Sequence, residues 1–381
     1  ADWSTSARPR LHSDLMSWLR RSRKPPAAAE GGRTESRKSR MTLDYLPERL
    51  LGWFETHRRE LPWRRDRAPY HVWLSEIMLQ QTRVEAVKNY YERFLAALPT
   101  VQALADCPED KLLKLWEGLG YYSRARNLQK AARVIVSEYG GEFPGEYDAV
   151  RALPGVGAYT AGAVLSICFE RPEPAVDGNV LRVVTRLLCM DAPVTDEKTK
   201  REIAALLKSI YPAGHCGDFT QALMELGATV CVPNGAPKCE CCPVADRCMA
   251  NAAGKQTSYP VKAEKKPRRH EARTVFILRC GERLAVCKRP EKGLLAGLWQ
   301  LPDVCGTLTV QEALGQAQAW GVRPTGIEKT VCRTHIFTHV QWEMMGFYFD
   351  CAEPDGRFFW ADAQTLAQEL GLPTAYRQFL P

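Results

Sequence analysis

No stretch of this 381-residue chain approaches the roughly 18 uninterrupted apolar residues of a membrane-spanning helix. Its N-terminus lacks the apolar run and small-residue cleavage site of a secretory signal. No internal repeat is visible. The 14 cysteines lack the spread of a disulfide framework, since five of them crowd into residues 231–248. Cationic excess is also scarce outside the first 40 residues. Those residues hold ten Lys/Arg against four Asp/Glu, +6 of the total +8, which leaves the other 341 residues at only +2. Net charge therefore says little about partners, and any contact with nucleic acid must come from local surfaces. Together these absences point to a soluble, intracellular, cytoplasmic protein without membrane contact.

What is present suits about two domains at roughly 150 residues each, and 45% hydrophobic residues are ample for packed cores. Residues 1–40, rich in Pro, Ala, Gly and Ser, read as a disordered basic extension, incidental rather than a DNA-binding tail, with Met41 opening the patterned sequence. From there to about residue 249 the periodicity is helical. Leu46, Leu50, Trp53, Phe54 and His57 mark one buried face. Thr82-Arg-Val-Glu85 has the form of a capping box before Val84, Val87, Tyr91 and Phe94. Leu112, Leu115, Trp116 and Leu119 make another helix closed by Gly120, and Leu128, Ala131, Ala132 and Ile135 one ended by Gly140-Gly141. Residues 250–270, with Lys, Arg, Pro260 and Pro267, read as an exposed linker. Residues 271–381 turn to β: a hairpin of Thr274–Leu278 and Leu284–Cys287, a helix near Val310–Trp320, and strands near Thr334–Val340 and Met344–Phe349. The fold class is mostly α, followed by a smaller α+β domain.

Three patterns carry chemistry. In Leu153-Pro-Gly155-Val156-Gly157-Ala-Tyr159, the glycines permit a tight turn that aims backbone N–H groups outward at a helix N-terminus, where a DNA phosphate can bind. An ordinary interhelical turn would use the same residues. Val176-Asp177-Gly-Asn179-Val180 opens a helix, and Asp177 or Asn179 could do no more than cap it. Cys231, Cys239, Cys242 and Cys248 have spacings suited to an iron–sulfur cluster or a tetrahedral zinc, and spacing does not choose between them.

These motifs, with Leu61-Pro-Trp63, Ser75-Glu76-Ile-Met-Leu-Gln80-Gln81-Thr82 and Gly118-Leu-Gly-Tyr-Tyr-Ser123, make residues 41–381 resemble the adenine DNA glycosylases, the MutY family of the helix-hairpin-helix superfamily that includes endonuclease III. The resemblance implies a helix-hairpin-helix catalytic domain over residues 41–249 with one [4Fe–4S] cluster on the four cysteines, and a Nudix-like lesion-recognition domain over 271–381. It implies a monomeric enzyme of bacterial type that excises adenine opposite 8-oxoguanine or guanine in double-stranded DNA. Breaking an N-glycosidic bond calls for a proton on the leaving base and stabilisation of the sugar cation. The resemblance gives the first task to Glu76 and the second to Asp177, supported by Tyr159 and Asn179. Trp73, Ile77, Met78 and Leu79 surround Glu76 in sequence, so burial is expected to raise its pKa; alone, it would read as a solvated helix carboxylate. Tyr159 stands where strand-cutting relatives carry a lysine, which implies a monofunctional glycosylase; it could otherwise be a core aromatic. Gln80, Gln81 and Tyr121, with the hairpin's Leu153, Gly155, Val156 and Gly157, are implied DNA contacts. The resemblance further implies that Trp63 and Arg64 line the base pocket, unless Trp63 is core.

Phe337-Thr338-His339 matches the family's lesion-reading Phe-Ser-His, with Thr for Ser, unless it is plain strand. Gly306–Gly321 offers Glu312 as its one carboxylate, too little acid for the Mg²⁺ of a working Nudix hydrolase. One spacing departs from the family, with seven rather than six residues between Cys231 and Cys239. The competing expectations are a thymine-mismatch or endonuclease III-like glycosylase and a catalytically silent DNA-binding protein.

Overall fold

The computed structural model describes residues 43–263, 267–354 and 356–380. The expected disordered extension at 1–40 lies outside them. Helices come first: α1 Leu46–His57, α2 Pro69–Leu79, α3 Val84–Ala97, α4 Val101–Asp106, α5 Glu109–Leu115, α6 Ser123–Tyr139, α7 Tyr147–Ala152, α8 Ala158–Phe169, α9 Gly178–Leu188, α10 Glu197–Lys208, α11 Cys216–Thr229 and α12 Met249–Ala252. Then follow β1 Arg269–Cys280, β2 Arg283–Lys288, β3 Trp299–Gln300, β4 Asp303–Cys305, α13 Val310–Ala319, β5 Pro324–Ile336, β6 Val340–Cys351, β7 Phe359–Ala361, α14 Ala363–Gln368 and α15 Thr374–Arg377. Among the described residues no helix is long and apolar enough to cross a membrane.

Two compact units divide the chain, and they cut through the helical region. One holds the chain up to Arg59 together with Glu170–Lys262; the other holds Glu60–Phe169 and Ala263–Pro381. In the first unit Leu46, Leu50, Trp53 and Phe54 of α1 share a core with Val180, Val184 and Leu187 of α9 and Phe219 and Leu223 of α11. His57, expected on that face, is exposed in the last turn and stacks on Trp53. Arg59 grips the fully buried Glu225 of α11 with Nε–Oε1 at 2.6 Å and Nη2–Oε2 at 3.0 Å. A charge so desolvated is tolerable only with such a partner.

The second unit packs α2 to α8 around Trp73, Phe94, Trp116, Leu128 and Val164. The expected capping box fails here. The residue capping α3 is Arg83, with no side-chain bond, and Thr82 Oγ1 instead donates to the Gln80 carbonyl at 3.4 Å. The sheet of this unit runs β3-β2-β1-β6-β5, with β1 parallel to β6 and antiparallel to β2. Alternation along β1 serves two cores: Val275 and Ile277 meet Trp342, Tyr376 and Phe379, while Phe276 and Leu278 meet Ala313 and Ala317 of α13. Glu312 completes a capping box with Thr309 at the start of α13, so the lone carboxylate of Gly306–Gly321 has a structural job.

Two boundaries differ from expectation. The linker expected at 250–270 is exposed at 252–255 and 257–258 but tied back at Tyr259 and Val261: Arg186 Nε donates to the Tyr259 carbonyl at 3.1 Å, and Val194 N to the Val261 carbonyl at 3.0 Å. The strand expected over Thr334–Val340 stops at Ile336, and residues 337–339 form the turn into β6, closed by Phe337 N donating to the Val340 carbonyl at 2.8 Å.

Candidate functional site

Helix α2 is apolar nearly all round, and every residue from Val72 to Met78 is buried. Glu76 lies inside that run at 6% exposure, and the hydroxyl of Tyr159, second residue of α8, donates to its Oε2. The solvated-carboxylate reading of Glu76 is therefore set aside. Trp63 is buried and meets Tyr91 edge-on, with centroids 5.6 Å apart; Arg64 beside it is half-buried.

The hairpin between α7 and α8 forms as the glycines require. Val156 N donates to the Leu153 carbonyl at 3.1 Å, and both side chains sink into the core. They leave Gly155 and Gly157 exposed, so any contact with DNA there is made by backbone. Gly155 has φ +77°, and a Cβ on it would lie 2.7 Å from Asn127 Cβ. Gly155→Ala is accordingly expected to destabilise the chain by about 2 kcal/mol through strain and overlap; thermal unfolding measures it, and an unchanged midpoint would refute the argument.

Five described non-glycine residues have positive φ, and Gln81 at φ 59° and Tyr121 at φ 48° are the two of them that are exposed. Each conformation costs roughly 1–2 kcal/mol for an L-residue. Both are exposed, Tyr121 at 45%. Gln80 is half-buried, and its Nε2 lies 3.5 Å from Thr160 Oγ1. In the 337–339 turn, Phe337 packs edge-on against Trp342 at 4.8 Å, while Thr338 and His339 are exposed. The hydroxyls of Thr338 and Tyr121 hydrogen-bond to each other. Lys114 Nζ, donating to the Leu370 carbonyl at 3.0 Å, and Leu372 N, donating to Glu117 Oε1 at 2.9 Å, fasten the same two parts of this unit together.

In the first unit, Asp177 does cap α9: its Oδ1 accepts from Val180 N at 2.8 Å. Its second oxygen accepts from Asn179 Nδ2 at 2.6 Å. Burial raises the Asp177 carboxyl above its usual range, against the lowering effect of these bonds and of Arg182. Arg182 donates through Nη2 to Asn179 Oδ1 at 2.8 Å and to the Gly227 carbonyl at 2.8 Å, and through Nε to the Cys231 carbonyl at 2.7 Å. A Cβ on Gly227 would come within 2.5 Å of Asn179 Cβ, so α11 must be bare there for Asn179 to turn toward Asp177.

The four cysteines expected as ligands, Cys231, Cys239, Cys242 and Cys248, line one cavity beside α9 and α11. Arg186 Nη1 donates to Cys231 Sγ at 3.2 Å. Burial pushes the Cys242 thiol up to about 12, so a bound cation is what would hold it as thiolate. Among the described residues, no group of three or more His, Cys, Asp or Glu is arranged to hold one metal ion. The motifs did not announce Arg124, Arg182 or Arg186; they reach Gln80, Cys231 and Tyr259 across 44, 49 and 73 residues of sequence, and no spacing signals them.

A helical hairpin domain followed by a Nudix-type sheet defines a class of DNA-repair protein, and comparison with known proteins agrees. The family described as HhH-GPD superfamily base excision DNA repair protein matches residues 74–209, and the NUDIX domain family matches 274–381. The solved structure of a thermostable thymine-DNA glycosylase is 29% identical, with a TM-score of 0.52, covering 57% of this chain and all of that one. An adenine DNA glycosylase of Buchnera aphidicola (Schizaphis graminum) is 34% identical over 69% of this chain and 76% of its own length. That of Arabidopsis thaliana is 37% identical over 72% of this chain, which spans only 50% of the Arabidopsis protein's length. The chain belongs to the adenine DNA glycosylase family.

Proposed function

We propose that this chain is a monofunctional glycosylase that releases adenine mispaired with 8-oxoguanine or guanine in duplex DNA. The support is strongest at Asp177, a desolvated carboxylate whose two oxygens are both aimed by hydrogen bonds. Such a group stabilises a developing sugar cation without first reorganising. Glu76, buried and bonded to the Tyr159 hydroxyl, is the proton donor to the departing base. The absence of an amine at position 159 leaves no Schiff-base route there, so the product is an abasic site in an intact strand.

Gln80, Gln81 and Tyr121 occupy the space left in the duplex once adenine is extruded, a step that a mispair makes less costly. The backbone at Gly155 and Gly157 holds a phosphate. Trp63 and Arg64 border the base. Phe337, Thr338 and His339 read the opposing lesion from their turn, with Phe337 anchored on Trp342. Asn179 and Tyr159 orient the two carboxylates.

Cys231, Cys239, Cys242 and Cys248 hold a [4Fe–4S] cluster, which supplies redox-capable iron and cross-links the loop when bound. The four cysteines line one shared cavity, and the family resemblance favours iron over zinc. Purified protein is expected to contain ~4 iron atoms per chain, with the visible absorption of iron–thiolate charge transfer. Stoichiometric zinc without iron would sink the cluster.

Duplexes carrying A:8-oxoguanine, A:G, G:T or thymine glycol separate the competing readings. Adenine release from the first two is expected. Release only from G:T or thymine glycol would place the chain with its thymine-acting relatives, and binding without any release would leave a silent DNA-binding protein.

A further inference from the structure

Arg124, near the start of α6, makes an unusual set of contacts for one side chain. Its Nη1 donates to the carbonyls of Ile77 at 2.7 Å, Met78 at 3.2 Å and Gln80 at 2.6 Å. Its Nη2 donates to the carbonyls of Leu119 at 2.9 Å and Gly120 at 3.2 Å. The guanidinium also sits over the rings of Trp116 and Tyr121, at 5.4 Å and 5.6 Å. Burial lowers its pKa to about 10, which leaves it charged at neutral pH.

These contacts fall at special places. Ile77 and Met78 lie in the last turn of α2, whose carbonyls have no partner within the helix and whose dipole favours a cation. The Gln80 carbonyl belongs to the peptide plane leading into Gln81, and the Gly120 carbonyl to the plane leading into Tyr121. Fixing each plane fixes the start of φ for the residue that follows. Those residues are the two exposed non-glycine positions, Gln81 and Tyr121, already noted in left-handed backbone. Left-handed conformations at such residues persist only where surrounding structure over-determines them.

We propose that Arg124 is a positioning residue, a single guanidinium that holds Gln81 and Tyr121 together in the strained conformations from which both enter the duplex. The proposal rests on the reading above that these two side chains fill the vacated base stack. Arg is required because a planar fork reaches both loops at once, whereas the point charge of Lys serves one.

The test uses the full chain and an A:8-oxoguanine duplex with 2-aminopurine beside the adenine, whose fluorescence follows base extrusion. Arg124→Lys is expected to slow extrusion on the order of 10- to 100-fold, as expected when a group is held loosely by about 1 Å. In a Gln81→Ala/Tyr121→Ala background the same substitution should cost less than about twofold, because the groups it positions are gone. A purely structural Arg124 would cost as much in both backgrounds, and that result, or near-parental extrusion by Arg124→Lys, overturns the proposal. Near-parental extrusion by Gln81→Ala/Tyr121→Ala with Arg124 intact would instead overturn the reading that these side chains enter DNA. Arg124→Gln is run in parallel should the lysine variant not fold. Gln81→Gly needs no change at Arg124: it should raise the unfolding midpoint while slowing extrusion, and no rise would mean that no strain is held there.

Discussion

Asp177→Asn is expected to lower adenine release from an A:8-oxoguanine duplex by at least about 10³-fold while leaving affinity for the mispair within a few-fold. Asn caps a helix as well as Asp does, so the bond from Val180 N survives and α9 keeps its first turn. The full negative charge that would face the sugar cation is lost. The amide cannot restore the second bond by rotation either. Asn179 presents Nδ2 to Asp177, and its Oδ1 is engaged by Arg182, so flipping Asn179 would break that contact. Single-turnover release and equilibrium binding measured on one duplex check both halves. Parental turnover would remove Asp177 from the mechanism.

The same substitution carries a pH signature. Burial holds the Asp177 carboxyl above its usual range, so ionising it is harder in the folded chain than in the unfolded one. Its contribution to stability is present below the unfolded carboxylate's pKa of about 3.9, and is lost as pH rises through the raised folded value. An amide suffers no such loss. The unfolding midpoint of Asp177→Asn should therefore gain on the parent between about pH 4 and neutrality. A difference that is flat across that range would mean that Asp177 is not desolvated.

Periodicity disclosed α1, α3 and α6 because each buries one stripe, whereas α2, buried nearly all round, shows none, and α6 ends at Gly140 as its pattern requires. Motif spacing likewise revealed which residues cluster locally: the turn at Gly155, the cap at Asp177 and the cysteines around one cavity. Contacts that close over long sequence distance left no such trace. Thr82 looks like a cap, but its hydroxyl donates to the Gln80 carbonyl, and Arg83 takes the cap position without a side-chain bond. Residues 250–261 are polar enough to read as linker, yet Arg186 and Val194 take their carbonyls. Tyr159 was legible as a missing lysine, not as the partner of Glu76, 83 residues away. Arg124 and Arg182 belong to the same case: a guanidinium satisfying distant carbonyls has no local pattern.

Glu76→Gln separates the two halves of the chemistry. Adenine is a poor leaving group until protonated, so removing the acid is expected to slow its release by about 10²- to 10⁴-fold, the usual reach of general acid catalysis. The amide keeps the shape of the side chain, and its oxygen still accepts from the Tyr159 hydroxyl, so the fold and the neighbouring hairpin should stand. The sharper readout replaces adenine with a base analogue that departs without a proton. Glu76→Gln should process that substrate at close to the parental rate, whereas Asp177→Asn should fail on both substrates, because the sugar cation develops whichever base leaves. Tyr159→Phe removes the hydroxyl that bonds Glu76, and is expected to slow adenine release by about tenfold with little effect on the proton-independent substrate. If Glu76→Gln proved equally slow on both leaving groups, its carboxyl would be acting on the sugar or on DNA placement rather than on the base. The division of labour between the two carboxylates would then have to be redrawn.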